Sequence, residues 1–225
     1  MRKHFVFGIG GLLIGLAIGF FVANSVNRLS ATGASGASVD AATIPATNPE
    51  QPNNSNSTPP DIAELLVVAN SQSGSFAAQM RVGDMYARIG RFEIAVEYYR
   101  KGLALRPDDF NANVVLANAL FDSRQFEPAA EYYAKALRIT PRDADARADL
   151  AATYIERQQP EYSKAVAELE KVLEGEPNHE AALYYLSIAN FRSGRNEKGV
   201  EYKQRLEKTS TNVALIERLK QASEN

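Results

Sequence analysis

From residue 76 onward, apolar and small side chains recur with two nested periods. The short one is helical. Val82 precedes Gly83, with Tyr86 three positions on; Leu116, Ala117 and Leu120 repeat the pattern, as do Leu150, Ala151 and Tyr154, and Leu186, Ser187 and Asn190. A second run opens on Phe92, Phe126 or Tyr162 and continues through Tyr99, Tyr133 or Leu169 to Leu103, Leu137 or Leu173. The long period appears in two registers: Ala95, Ala129 and Ala165 are spaced by 34 and 36 residues, and so are Pro107, Pro141 and Pro177. A fixed period in this range predicts a solenoid of helix pairs.

Each recurring position has a physical reason. Gly83, Ala117 and Ala151, facing Ala95, Ala129 and Ala165, are small where two helices must approach closely. The aromatics supply large apolar area between neighbouring pairs. Each proline follows a helix that it cannot continue. Asp108 and Asn178 stand where an N-cap is expected to open the next helix. No pair can bury its apolar face alone, so stability must come from stacking.

These residues resemble the tetratricopeptide repeat, a helix-turn-helix unit of about 34 residues. The resemblance covers roughly 76–213 as four units, 76–109, 110–143, 144–179 and 180–213. It implies an all-α, right-handed superhelical solenoid. Its third unit has two extra residues in the internal turn, within Arg157-Gln158-Gln159-Pro160-Glu161, and turns tolerate such insertions cheaply. Its fourth unit departs most, with Gly199 for the expected alanine and Asn190, Asn196 and Lys203 at formerly apolar positions; this suits a terminal repeat with a wetter outer face. Residues 212–225, with Val213, Leu215, Ile216 and Leu219, read as a C-terminal capping helix. At the other end, Asp61-Ile62-Ala63-Glu64 has capping-box spacing, so 61–75 reads as a capping helix or half-repeat.

The first 60 residues differ in kind. Phe5 to Ala23 carries neither charge nor proline. As a helix its 19 residues span ~28 Å, close to the ~30 Å of a bilayer core. Residues 1–24 are therefore expected to form a transmembrane helix, since the apolar core of a cleaved signal peptide is usually shorter. Arg2 and Lys3 precede the run and only Arg28 follows nearby, so the N-terminus is expected in the cytoplasm and the repeats beyond the membrane. Gly11, Gly15 and Gly19 fall on one face of that helix, a spacing that lets two transmembrane helices approach. Residues 25–60 are mostly Ala, Ser, Thr, Asn, Gly and Pro. They are expected to be a disordered tether of ~30–36 Å mean reach.

Charge narrows the function. Arg2, Lys3 and Arg28 are the cations of the first 60 residues, and Asp40 and Glu50 the acids, which leaves 22 Lys and Arg against 25 Asp and Glu for the remaining 165. With no basic stripe, nucleic-acid binding is not expected. There is no cysteine. The two histidines, His4 and His179, stand apart from any nucleophile or ligand cluster, so no enzyme activity, metal or cofactor is expected. His179 reads as a surface residue at the junction of two repeats.

The resemblance implies that positions 2, 5, 9 and 12 of each first helix line a concave groove for a peptide or protein partner. These are Ala77, Met80, Asp84 and Ala87; Asn111, Val114, Asn118 and Phe121; Asp145, Ala148, Ala152 and Ile155; and Ala181, Tyr184, Ile188 and Phe191. Asn118 is the candidate for a peptide backbone, and Phe121 or Tyr184 for an anchored side chain. Members that hold a C-terminal carboxylate use Lys, Arg and Asn, where this chain has Met80, Asp84, Val115, Asp145 and Ala148. A carboxylate would be repelled there, which argues against a cytosolic Hsp70- or Hsp90-type co-chaperone. The layout resembles membrane-anchored scaffolds of the bacterial envelope. The alternative is a self-associating scaffold paired through its glycine stripe, with no client in the groove.

Overall fold

The structure, a computed structural model, describes Val67, Ser71 and residues 74–223. The expected transmembrane segment with Gly11, Gly15 and Gly19, the linker, and most of 61–75 lie outside the described residues. Among those described, no helix is long and apolar enough to cross a membrane.

Nine helices and no strand occur among the described residues. They are α1 (Phe76–Arg88), α2 (Phe92–Leu105), α3 (Phe110–Asp122), α4 (Phe126–Ile139), α5 (Ala144–Glu156), α6 (Tyr162–Gly175), α7 (Glu180–Arg192), α8 (Asn196–Thr209) and α9 (Val213–Ser223). The first helix of every pair has 13 residues and the second 14. Each helix from α1 to α8 packs on the next in sequence, and α9 lies against α7 more than against α8.

The two kinds of helix start differently. α1, α3, α5 and α7 are capped by side chains. Ser75 Oγ accepts from Ala78 N at 3.3 Å, Asp109 Oδ1 from Ala112 N at 2.9 Å, Asp143 Oδ1 from Ala146 N at 2.7 Å and His179 Nδ1 from Ala182 N at 3.2 Å. The expected caps Asp108 and Asn178 are each displaced by one residue. Backbone turns run from Arg106 to Asp109, Thr140 to Asp143 and Glu176 to His179, with donor–acceptor distances of 3.2, 3.2 and 3.0 Å. Proline takes the second position of each turn, where its fixed φ fits, and the fourth residue becomes the cap. The proline carbonyls are not left orphaned. Asn113 Nδ2 reaches that of Pro107 at 3.0 Å, Arg147 that of Pro141 at 2.5 Å and Arg205 that of Pro177 at 2.6 Å.

α2, α4, α6 and α8 have no side-chain cap hydrogen bond. They follow tight turns instead. In pairs one, two and four the chain reverses through a left-handed residue, Gly90 (φ 74°), Arg124 (φ 61°) or Gly194 (φ 77°). The third pair has none; the longer segment from Arg157 to Glu161 takes over, tied by an Arg157–Glu161 ion pair and by Glu161 N donating to Tyr154 O at 2.8 Å.

One continuous core runs through all four pairs. Leu116, Leu120, Tyr133, Leu169, Leu183 and Leu186 are fully buried, as are Ala95, Ala117, Ala129, Ala151 and Ala165. The close approaches are literal. A Cβ on Gly83 would fall 2.5 Å from the Tyr99 ring. In the fourth pair Ser187 replaces alanine, and its hydroxyl donates to Gly199 O at 2.8 Å. Asn190 departs from the expected wet face. It is 0% exposed, with Nδ2 donating to Leu186 O at 2.7 Å and Oδ1 unpartnered. Its helix, α7, is flanked by α6, α8 and α9, so polarity there is not exposure. The wet helix is α8, which buries only Gly199 and Leu206. α9 supplies Leu215 and Leu219 to the core and leaves Val213 76% exposed.

Candidate functional site

The first helices α1, α3, α5 and α7 carry the groove positions. Ala77, Asn111 and Asp145, near the start of their helices, are exposed and form a rim. Ala181, at the same position of α7, is buried, as are Val114, Asn118, Phe121, Ala148, Ala152, Ile155 and Ile188 one to three turns on. Met80, Ala87, Tyr184 and Phe191 are half-buried. Met80 covers a gap on α2, since a Cβ at Gly102 would lie 2.7 Å from its Sδ. Tyr184 makes an edge-to-face contact with Tyr185, ring centroids 5.2 Å apart. Burial raises its phenol, against the pull of Arg218 on α9, which packs on its helix, and of Arg192. Asp145 is shared with the next repeat, its Oδ1 3.1 Å from His179 Nε2. His179 thus links two repeats while capping α7.

Two groove residues have a structural partner that the sequence did not suggest. Tyr99 OH donates to Asp84 Oδ1 at 2.8 Å, and Tyr133 OH to Asn118 Oδ1 at 2.6 Å. The geometry repeats because both pairs are 15 residues apart. Pairs three and four lack it, having Ala152 with Leu169 and Ile188 with Lys203 at those positions. The hydroxyl fixes the carbonyl end of Asn118, and among the described residues Nδ2 has no hydrogen-bond partner, so its donors stay available. Burial raises the Asp84 carboxyl, against the pull of the Tyr99 bond and of Arg88.

Two further carboxylates share this surface. Asp122 lies one residue past Phe121 and one turn past Asn118; Asp149 lies one turn past Asp145 and beside Ala148. Burial pushes the Asp122 carboxyl up to about 7. Burial also lifts Asp149 well above the usual range, reinforced by Asp145, Asp143 and Asp122. Burial raises the Tyr133 phenol, and Asp149 and Asp122 raise it further. The one-turn offsets from Asn118 and Asp145 were visible in the sequence. Which face of each helix stays open was not.

The sequence profile described as tetratricopeptide repeat matches residues 80–144, 114–161 and 150–212, between them 80–212 of the 225. The chain belongs to the tetratricopeptide repeat family. Among solved structures, a tetratricopeptide-like match to a MamA crystal structure has a TM-score of 0.60 at 21% identity, covering 66% of this chain and 85% of that one. MamA from Desulfovibrio magneticus RS-1, from its residue 41 to its end, matches with a TM-score of 0.61 at 18% identity, over 89% and 95% of the two chains. At this identity the likeness is one of fold. Comparison with curated proteins finds no match. The chain therefore has the helix-pair solenoid of tetratricopeptide interaction scaffolds. Among the described residues no cluster of His, Cys, Asp or Glu could hold a metal ion.

Proposed function

We propose that this chain is a membrane-tethered interaction scaffold whose tetratricopeptide groove takes a segment of a protein partner on the extracytoplasmic side of a cell membrane. The observation that carries the groove reading is the preset amide of Asn118. Its Oδ1 is held by Tyr133 at 2.6 Å, so Nδ2 is oriented before a ligand arrives, and preorganised donors lose little entropy on binding. Phe121 and Val114 lie on the same helix, and exposed Asn111 and Asp145 stand at the rim. The tether reading rests on the apolar run Phe5–Ala23 and on the cations Arg2 and Lys3 before it.

Two experiments test this. The chain has no cysteine, so Glu131→Cys provides a single label. A membrane-impermeant maleimide added to intact cells, or to cells with a permeabilised outer layer, should label it; labelling only after the inner membrane is broken would reverse the proposed topology. For the groove, Asn118→Asp keeps an acceptor for Tyr133, as Asp84 does for Tyr99, but removes the amide donor. Partner co-purified from membranes should fall while the melting temperature changes little. Unchanged recovery would remove Asn118 from the binding surface.

A further inference from the structure

Asp149 stands out as the charged side chain in the buried set among the described residues. It is 9% exposed and, among the described residues, has neither a hydrogen bond nor an ion pair. Other inward or interhelical carboxylates have partners. Asp84 has Tyr99, Asp145 has His179, Glu156 has Arg192 at 2.7 Å, and Glu168 has both Arg147 at 2.5 Å and Lys171 at 2.7 Å. Asp109 and Asp143 cap helices. Half-buried Asp122, at the end of α3, lies near enough to Asp149 to act on its carboxyl and, among the described residues, is also without a partner. A buried, unpaired charge is costly, so chains usually pair it or lose it.

Among the described residues no cation pairs with either aspartate. The charges acting on Asp149 are Asp145, Asp143 and Asp122, all acidic. Arg192 is engaged by Glu156. Arg218 of α9 acts on Tyr184 and Tyr185 and makes no ion pair with either aspartate. Tyr133 and Tyr185, both buried, are near enough to Asp149 for it to raise their phenols beyond the effect of burial. Two unpaired carboxylates suit a guanidinium or ammonium, which forms charge-assisted hydrogen bonds with them. They repel an acidic or carboxylate-terminated ligand.

We propose that the groove recognises its partner through a Lys or Arg side chain seated between Asp122 of α3 and Asp149 of α5, beside the free amide of Asn118. This rests on the groove reading above and adds the charge of the bound segment. The amide meets the backbone of an extended segment while the aspartates read one side chain from it. The unpaired carboxylates are then a binding feature that the free chain carries at a cost in stability.

The test uses the full-length chain in detergent and a displayed library of random dodecapeptides as probe. Selected peptides should share a Lys or Arg in one register. Their affinity should fall roughly tenfold or more in the Asp122→Asn, Asp149→Asn double variant and equally when that peptide residue becomes norleucine. Glu131→Gln, on α4 and exposed, should change it little. The melting temperature of Asp149→Asn should hold or rise, since an unpaired buried carboxyl is removed; a fall would mean that the carboxyl serves the fold instead. If peptides without a basic residue are selected, and Asn111→Trp at the groove rim abolishes their binding, the groove reading stands and the aspartate proposal is overturned. If rim substitution leaves all selected binding unchanged, or wild type selects no peptide, both readings fail.

Discussion

The second and fourth helix pairs follow one register but do different amounts of packing. In the second, α4 buries Ala129, Ala130, Tyr133, Ala136 and Leu137, because α3 and α5 both lie against it. In the fourth, α8 buries Gly199 and Leu206 alone, because the closing helix α9 leans on α7. The first helices do not differ in this way: α3 and α7 are each buried along most of their length. A repeat at the end of a solenoid loses neighbours on its second helix first, and its sequence relaxes there. Lys203, Asn196 and exposed Val200 are the marks of that loss.

The sharpest way to break this contrast is to cut equal cavities in both pairs. Leu116 and Leu206 are both fully buried. Leu116→Ala should cost ~3–5 kcal/mol and lower the urea midpoint of the whole domain, whereas Leu206→Ala should cost ~2–3 kcal/mol and loosen mainly α8 and α9. Hydrogen exchange on the two variants separates global from local opening. Equal losses with equal spread would mean that the last pair is as cooperative as the second.

Smaller costs are expected from filling the two tight glycines. A Cβ at Gly83 meets the Tyr99 ring at 2.5 Å, and that ring is buried and held by Asp84. Gly83→Ala should cost ~1–3 kcal/mol. At Gly199 the neighbour is Phe191 at 2.7 Å, which is half-exposed and can turn away, so Gly199→Ala should stay under ~1 kcal/mol. Thermal unfolding of both variants checks the order.

The acid response sharpens the same contrast, because Asp122 and Asp149 belong to the inner pairs. The folded chain holds the Asp122 proton up to about pH 7, against ~3.9 for an unfolded aspartate. The folded state therefore binds more protons between those values. Stability should rise as pH falls from about 8 toward 5, by at most ~1.4 kcal/mol per unit for each such group. Asp122→Asn should flatten the rise; an unchanged profile would show that the group titrates normally.

The smallest expected effect lies in the turns. Arg124 and Gly194 occupy equivalent left-handed positions, φ 61° and 77°. Arg124→Gly should gain ~0.5–1 kcal/mol, and Gly194→Arg should lose a similar amount. Chemical denaturation of the pair should give opposite signs.

Much of this architecture was legible from spacing. The starts of α1, α3, α5 and α7 at Phe76, Phe110, Ala144 and Glu180 follow from the recurring alanines and prolines. The caps slipped by a residue because the proline turns need four residues before a side chain can reach a helix N–H. Asn190 was misread because a polar residue at a formerly apolar position looks wet, although its amide satisfies a backbone carbonyl inside the core. The tyrosine bonds to Asp84 and Asn118 were hidden because they join different helices, where spacing alone does not give orientation. Asp122 and Asp149 were overlooked for a related reason: a lone aspartate on a helix reads as solvated until the neighbouring helix is placed beside it.

The most direct test of the groove as the working surface is site-specific photocrosslinking in intact membranes. A photoreactive residue is placed at Asn111 on the groove rim and, separately, at Glu131 on α4, both exposed in the free chain. Adducts with a second protein from position 111, and not from 131, are the predicted result. Adducts from 131 alone, or only between copies of this chain, would contradict a partner-binding groove and favour self-association.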